Sequence, residues 1–130
     1  MSKTYLLDTN ILSGLLSKDP MYIRGMKKYE DGNWAISSIT EFELHLYKEK
    51  VNLPPKLFRD FLGPFIVYPL DSAIYEVAAQ LFAKRGQSKP HMADLLVAAT
   101  AIVQHVPLIT ADKDMKKYAH AEVVLIKNHL

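Results

Sequence analysis

Cysteine is absent from the 130 residues, which excludes disulfides, zinc–thiolate centres and thiol nucleophiles. No signal-peptide apolar region fits before the carboxylate at Asp8. The longest apolar run, Leu95 to Val103 with Thr100 inside it, is about half of the ~20 residues a bilayer span needs. Neither a Gly-x-x-x-x-Gly-Lys phosphate loop nor a Gly-x-Ser-x-Gly elbow occurs. The five histidines show no His-x-x-x-His spacing for a metal. Internal repeats, low-complexity tracts and flexible linkers are also missing. A single soluble domain over residues 1–130, in a reducing cytoplasm with no membrane contact, is the expectation.

What is present is an ordinary globular balance, 49% apolar and 23% charged, enough for a buried core. The net charge is +2, uninformative by itself. With four of the fourteen acids gathered in one site, sixteen positive charges face ten negative ones elsewhere, a balance of +6. An acidic pocket in a basic surface suits a metal site that handles a polyanion.

Short apolar runs alternate with helical patterns. Strands are expected at Tyr5–Leu7, Trp34–Ile36, Phe65–Tyr68, Pro107–Thr110 and Val123–Ile126. Helices are expected at Asn10–Leu16, Met21–Tyr29, Ile39–Lys50, Lys56–Leu62, from the Asp71 cap to Gly86, from Pro90 to His105, and at Asp112–Tyr118. This alternation predicts an α/β/α sandwich around a mainly parallel sheet. Ligands bind such sheets outside the carboxyl ends of the strands, where Asp8 and Asp112 fall.

Each candidate carboxylate has a plain structural reading beside the functional one. Asp8 suits a helix N-cap, yet Thr9 or Asn10 can cap the same helix and leave Asp8 for a ligand. Two capping boxes overlap, Ser38…Glu41 and Thr40…Glu43. At ~100° per residue, Ile39, Phe42 and Leu46 form an apolar face that includes Glu43, with Glu41 opposite. A carboxylate on a buried face needs a partner or a metal; a snorkelling edge position is the alternative. Asp94 stands in the first turn of a helix that is apolar nearly all round, either as a dipole partner or as a charge at the mouth of the core. Of Asp112 and Asp114, Asp112 is nearer the strand end and is the preferred ligand. Asp114 is then the cap, a supporting residue or its competitor.

Taken in order, Asp8-Thr9-Asn10, Thr40-x-x-Glu43-Leu44, Asp94-Leu95-Leu96-Val97-Ala98-Ala99 and Thr110-x-Asp112-x-Asp114 resemble the PIN-domain nucleases, specifically the VapC-like toxins of prokaryotic type II toxin–antitoxin pairs. The resemblance spans essentially the whole chain. It implies a PIN-like fold in which Asp8, Glu43, Asp94 and Asp112 hold Mg2+ or Mn2+, with Asn10 and Thr110 in supporting polar positions. It further implies hydrolysis of RNA, transfer or ribosomal, by metal-activated water, a VapB-like antitoxin as partner, and a homodimer. Met115 stands where Phe is frequent, and no Gly follows closely after Glu43; neither departure touches the acids. Oxygen ligands without sulfur independently favour magnesium or manganese, and a dication offsets the repulsion among clustered carboxylates. Arg85, Lys89, Lys113 and Lys116 are candidates for following an RNA backbone. Ile11, Leu12, Leu15, Leu16, Ile23 and Met26 are either core or partner surface. Two rivals stand beside this reading. A haloacid-dehalogenase-type phosphatase would need Asp where Asn10 stands. A catalytically inactive PIN-like module that only binds protein or RNA would be marked by loss of an acid.

Overall fold

The computed structural model describes residues 2–84, 91–118 and 121–126. Five strands form one wholly parallel sheet: β1 (Thr4–Leu7), β2 (Asn33–Ser37), β3 (Ile66–Tyr68), β4 (Leu108–Thr110) and β5 (Val123–Leu125), in the order β3-β2-β1-β4-β5. The helices are α1 (Thr9–Leu16), α2 (Pro20–Met26), α3 (Ser38–Val51), α4 (Pro55–Leu62), α5 (Ser72–Lys84) and α6 (Met92–Gln104). Short 3-10 turns occupy Lys27–Tyr29 and Lys113–Lys117.

Strand alternation divides the core in two. Leu6, Ala35 and Leu108 share one face of the sheet and pack under α5 and α6, through Ile74, Ala78, Leu81, Leu95 and Ala98. Leu7, Ile36 and Ile109 face the other way, onto Ile11, Leu12, Met26, Leu44 and Phe58 from α1 to α4. Both faces are covered, as a parallel sheet requires. The α6 run from Leu95 to Ala101 is buried except at Leu96, in keeping with its near-continuous apolar character. Its alanines bring the backbone close to the sheet and to α5.

Helix ends follow local chemistry. Asp71 Oδ1 accepts the Ile74 N–H at 3.0 Å and starts α5 as expected. Asn52 and His105 adopt left-handed conformations (φ 55° each) that close α3 and α6. The expected stop at Gly86 and the opening at Pro90 lie outside the described residues, as do Arg85 and Lys89.

Two expectations for α3 are corrected, and one left open on the N-terminal helices is resolved. Of its expected face, helix α3 packs only Ile39 against the core, half-buried; Phe42 and Leu46 are each 56% exposed, and the fully buried residues are Thr40 and Leu44. Its cap is Ser37, whose hydroxyl accepts the Ile39 N–H, rather than either overlapping box. Of the apolar residues on the N-terminal helices, Ile11, Leu12 and Met26 are core, Leu15 and Leu16 are half-buried, and Ile23 is exposed.

Candidate active site

Sequence order reverses between β1 and β4, so the crevice at their carboxyl ends is the natural ligand position of this sheet. Asp8 follows directly on β1 and is buried. Its backbone N–H donates to the Ile109 carbonyl at 2.9 Å, continuing the β1–β4 ladder one residue past the strand. The carboxylate is engaged on both oxygens. Oδ1 accepts the Thr9 N–H at 2.9 Å, and Oδ2 accepts the Thr110 hydroxyl at 2.7 Å. Asp8 is therefore itself the N-cap of α1, contrary to the expectation that Thr9 or Asn10 frees it from capping. The helix starts one residue earlier than its apolar pattern, which leaves Asp8 in both positions.

Asn10 and Thr110 lock the two strand ends together. The Asn10 side chain accepts the Ala111 N–H at 3.0 Å and donates to Thr110 Oγ1 at 3.3 Å. Thr110, fully buried, also accepts the Asp112 N–H at 3.0 Å. Its hydroxyl thus uses its one hydrogen on Asp8 and both acceptor sites on neighbours.

Glu43 reaches the same crevice from α3. Its Oε1 accepts the Thr9 hydroxyl at 2.6 Å, while Thr40 Oγ1 lies 3.4 Å from that hydroxyl. Asp94 stands in the first turn of α6. Burial pushes the Asp8 carboxyl up to about 6; the negative charges of Asp94 and Glu43 push the same way, against the hydrogen bonds from Thr110 and Thr9.

Asp112 is half-buried and caps the 3-10 turn, its Oδ1 accepting the Asp114 N–H at 2.9 Å. Asp114 is not the cap. It is exposed, with Lys117 Nζ 3.7 Å from its Oδ1. Lys113 and Lys116 are exposed on the same turn, and Met115 is buried beneath it.

Asp8 thus has Glu43 and Asp94 as charged neighbours, accepts hydrogen bonds from Asn10 and Thr110, and is linked to the Asp112 backbone only through the Thr110 hydroxyl. Among the described residues, no three Asp, Glu or His side chains stand close enough to grip an ion as they are placed. The donor set nevertheless suits a hard dication: oxygen ligands only, with a buried carboxylate disfavoured by two neighbouring negative charges.

Periodicity missed Thr9 and Thr40. Thr40, Glu43, Leu44 and Tyr47 follow the i, i+3, i+4, i+7 spacing of one helix face, a signal that the stronger apolar set of Ile39, Phe42 and Leu46 obscures.

A profile of the PIN domain matches residues 5–121. Among solved structures, the chain is similar to a toxin–antitoxin complex from Klebsiella pneumoniae, with 28% identity and a TM-score of 0.77 over 94% of this chain and 97% of that one. FitAcB from Neisseria gonorrhoeae is similar at 27% identity and a TM-score of 0.78, over 94% and 97%. VapBC2 from Rickettsia felis, bound to a promoter DNA fragment, shares the fold at 22% identity and a TM-score of 0.78, over 94% and 98%. No curated protein matches the chain in sequence.

Proposed function

Because the chain belongs to the PIN-domain family, we propose that it is a magnesium- or manganese-dependent endoribonuclease and the toxin of a toxin–antitoxin pair. The observation that carries this reading is Asp8, buried at the β1–β4 switch point with Glu43 and Asp94 acting on its charge. In this reading Asp8, Glu43 and Asp94 hold the cation, and Asp112 completes the site or orients water. The cation supplies charge neutralisation at the scissile phosphate and acidity to water. Asn10 and Thr110 keep the Asp8 carboxylate aimed between the strand ends. Lys113 and Lys116, exposed beside Asp112, follow the RNA backbone.

A VapB-like antitoxin is the proposed partner, since similar structures are toxin–antitoxin complexes. Exposed Phe42 and Leu46 on α3 and Leu57 on α4 offer it an apolar surface. The apolar groove between α5 and α6, edged by Tyr75, Phe82 and Met92, suits a second copy of the chain. Light scattering of the isolated chain tests the homodimer, and a monomer would count against it. The proposed compartment is the prokaryotic cytoplasm; among the described residues no helix is long and apolar enough to cross a membrane.

The test is cleavage of RNA with magnesium or manganese by the wild-type chain and by Asp8→Asn and Asp94→Asn, with circular dichroism as the check on folding. Both variants are expected to lose cleavage while remaining folded, and EDTA to silence the wild type. Undiminished cleavage in EDTA, or full activity in both variants, would overturn the assignment. A folded chain that binds RNA but takes up no cation would instead be a binding module.

A further inference from the structure

We infer that Thr9 is a positioning residue that sets the geometry of Glu43 for the cation; this rests on the metal-dependent reading above. Thr9 touches two of the four acids with two different groups. Its backbone N–H donates to Asp8 Oδ1 at 2.9 Å, and its side-chain hydroxyl donates to Glu43 Oε1 at 2.6 Å. The second distance falls in the range of a charge-assisted O–H···O⁻ bond. One residue thereby pins together two carboxylates that repel one another.

A threonine hydroxyl has one hydrogen to give. With that hydrogen on Glu43, Thr9 Oγ1 is left only an acceptor toward Thr40, whose hydroxyl 3.4 Å away is the group able to donate. Thr40 is fully buried on α3, one turn before Glu43. The order Thr40 to Thr9 to Glu43 therefore starts from a fixed point in the core and ends on the carboxylate.

Glu43 is the member of the quartet with most need of such a clamp. Its side chain has one more rotatable bond than an aspartate, whereas Asp8 is held by Thr110 and Thr9, and Asp112 by the Asp114 amide. The Thr9 bond takes one lone-pair site on Oε1 and leaves Oε2 clear of it for a cation. Hydrogen-bonded partners of ligating carboxylates commonly govern metal affinity by about 10–100-fold.

The experiment is calorimetric titration of the full chain with Mn2+, comparing wild type, Asp8→Asn, Thr9→Val, Thr9→Ala and Thr9→Ser, each checked for folding by circular dichroism. Thr9→Val keeps the shape and the backbone donor to Asp8 and removes only the hydroxyl. It is expected to weaken Mn2+ binding by about 10–100-fold, with Thr9→Ala equally weak and Thr9→Ser within a few-fold of wild type. Wild-type affinity in Thr9→Val, tighter binding there, or Thr9→Ser as weak as Thr9→Val would overturn the role of Thr9 while leaving the site intact. A wild type that takes up no Mn2+, or an Asp8→Asn that binds as wild type does, would overturn the metal-site reading and the Thr9 role with it.

Discussion

Thr110 donates its hydroxyl hydrogen to Asp8 Oδ2 at 2.7 Å across a sequence separation of 102 residues. This bond joins the ends of the two central strands and lowers the Asp8 pKa against the upward push of burial. Because Thr110 also receives Asn10 and Asp112, it ties three of the polar residues at the crevice to a fourth.

Thr110→Val should therefore destabilise the chain by about 1.5–3 kcal/mol near neutral pH, the range for a hydrogen bond to a charged group. The loss should shrink near about pH 4, where Asp8 is protonated in the folded state and the bond no longer stabilises a charge. Urea unfolding at the two pH values measures it. An equal loss at both would mean that the hydroxyl acts on packing rather than on the Asp8 charge.

Asp8 itself predicts a stability profile for the metal-free chain. Its carboxyl is pushed up to about 6 in the folded state, against about 3.9 when unfolded. Between those values the folded chain keeps a proton that the unfolded chain has released, so stability falls as pH rises. The total fall is on the order of 3 kcal/mol, complete by about pH 7. In EDTA, Asp8→Asn should lack this component, equal the wild type near about pH 4 and exceed it near about pH 7. Parallel profiles for the two proteins would refute the burial account.

Asp112 and Asp114 separate cleanly by substitution. Asparagine caps as well as aspartate, so Asp112→Asn should preserve the turn at Lys113–Lys117 while lowering RNA cleavage by about 100-fold or more, the scale of losing one charge-stabilising group. Asp114→Asn, at an exposed position beside Lys117, should leave cleavage within a few-fold. The reverse order would move the fourth acid to position 114.

Much of this architecture is legible in the sequence because it is local. Tyr5-Leu6-Leu7 stops at a carboxylate, Asp71 precedes a helical stripe, and Pro54-Pro55 follows the end of α3. Helix α3 shows where legibility stops. Ile39, Phe42 and Leu46 form an apolar stripe, yet only Ile39 packs on the core; hydrophobicity alone does not distinguish a stripe facing the core from one facing solvent. The sheet settles it by taking Leu44 and Thr40 inward. Glu43 stays beside the crevice because it lies next to both stripes. The Thr9–Glu43 bond spans 34 residues and depends on how α1 and α3 meet, which no local pattern encodes.

The floor of the crevice is backbone from two distant stretches: the Leu6 N–H donates to the Pro107 carbonyl, and the Asp8 N–H to the Ile109 carbonyl. During synthesis, Asp8, Thr9 and Glu43 leave the ribosome long before their central neighbour strand exists. Contacts of such long sequence separation form late and carry a large loop-closure cost. A growing chain that has not yet reached Thr110 therefore carries three of the quartet's positions without the strand that orients the first of them. On the proposed reading, the site cannot be assembled until the stretch that carries Pro107, Ile109 and Thr110 has been made.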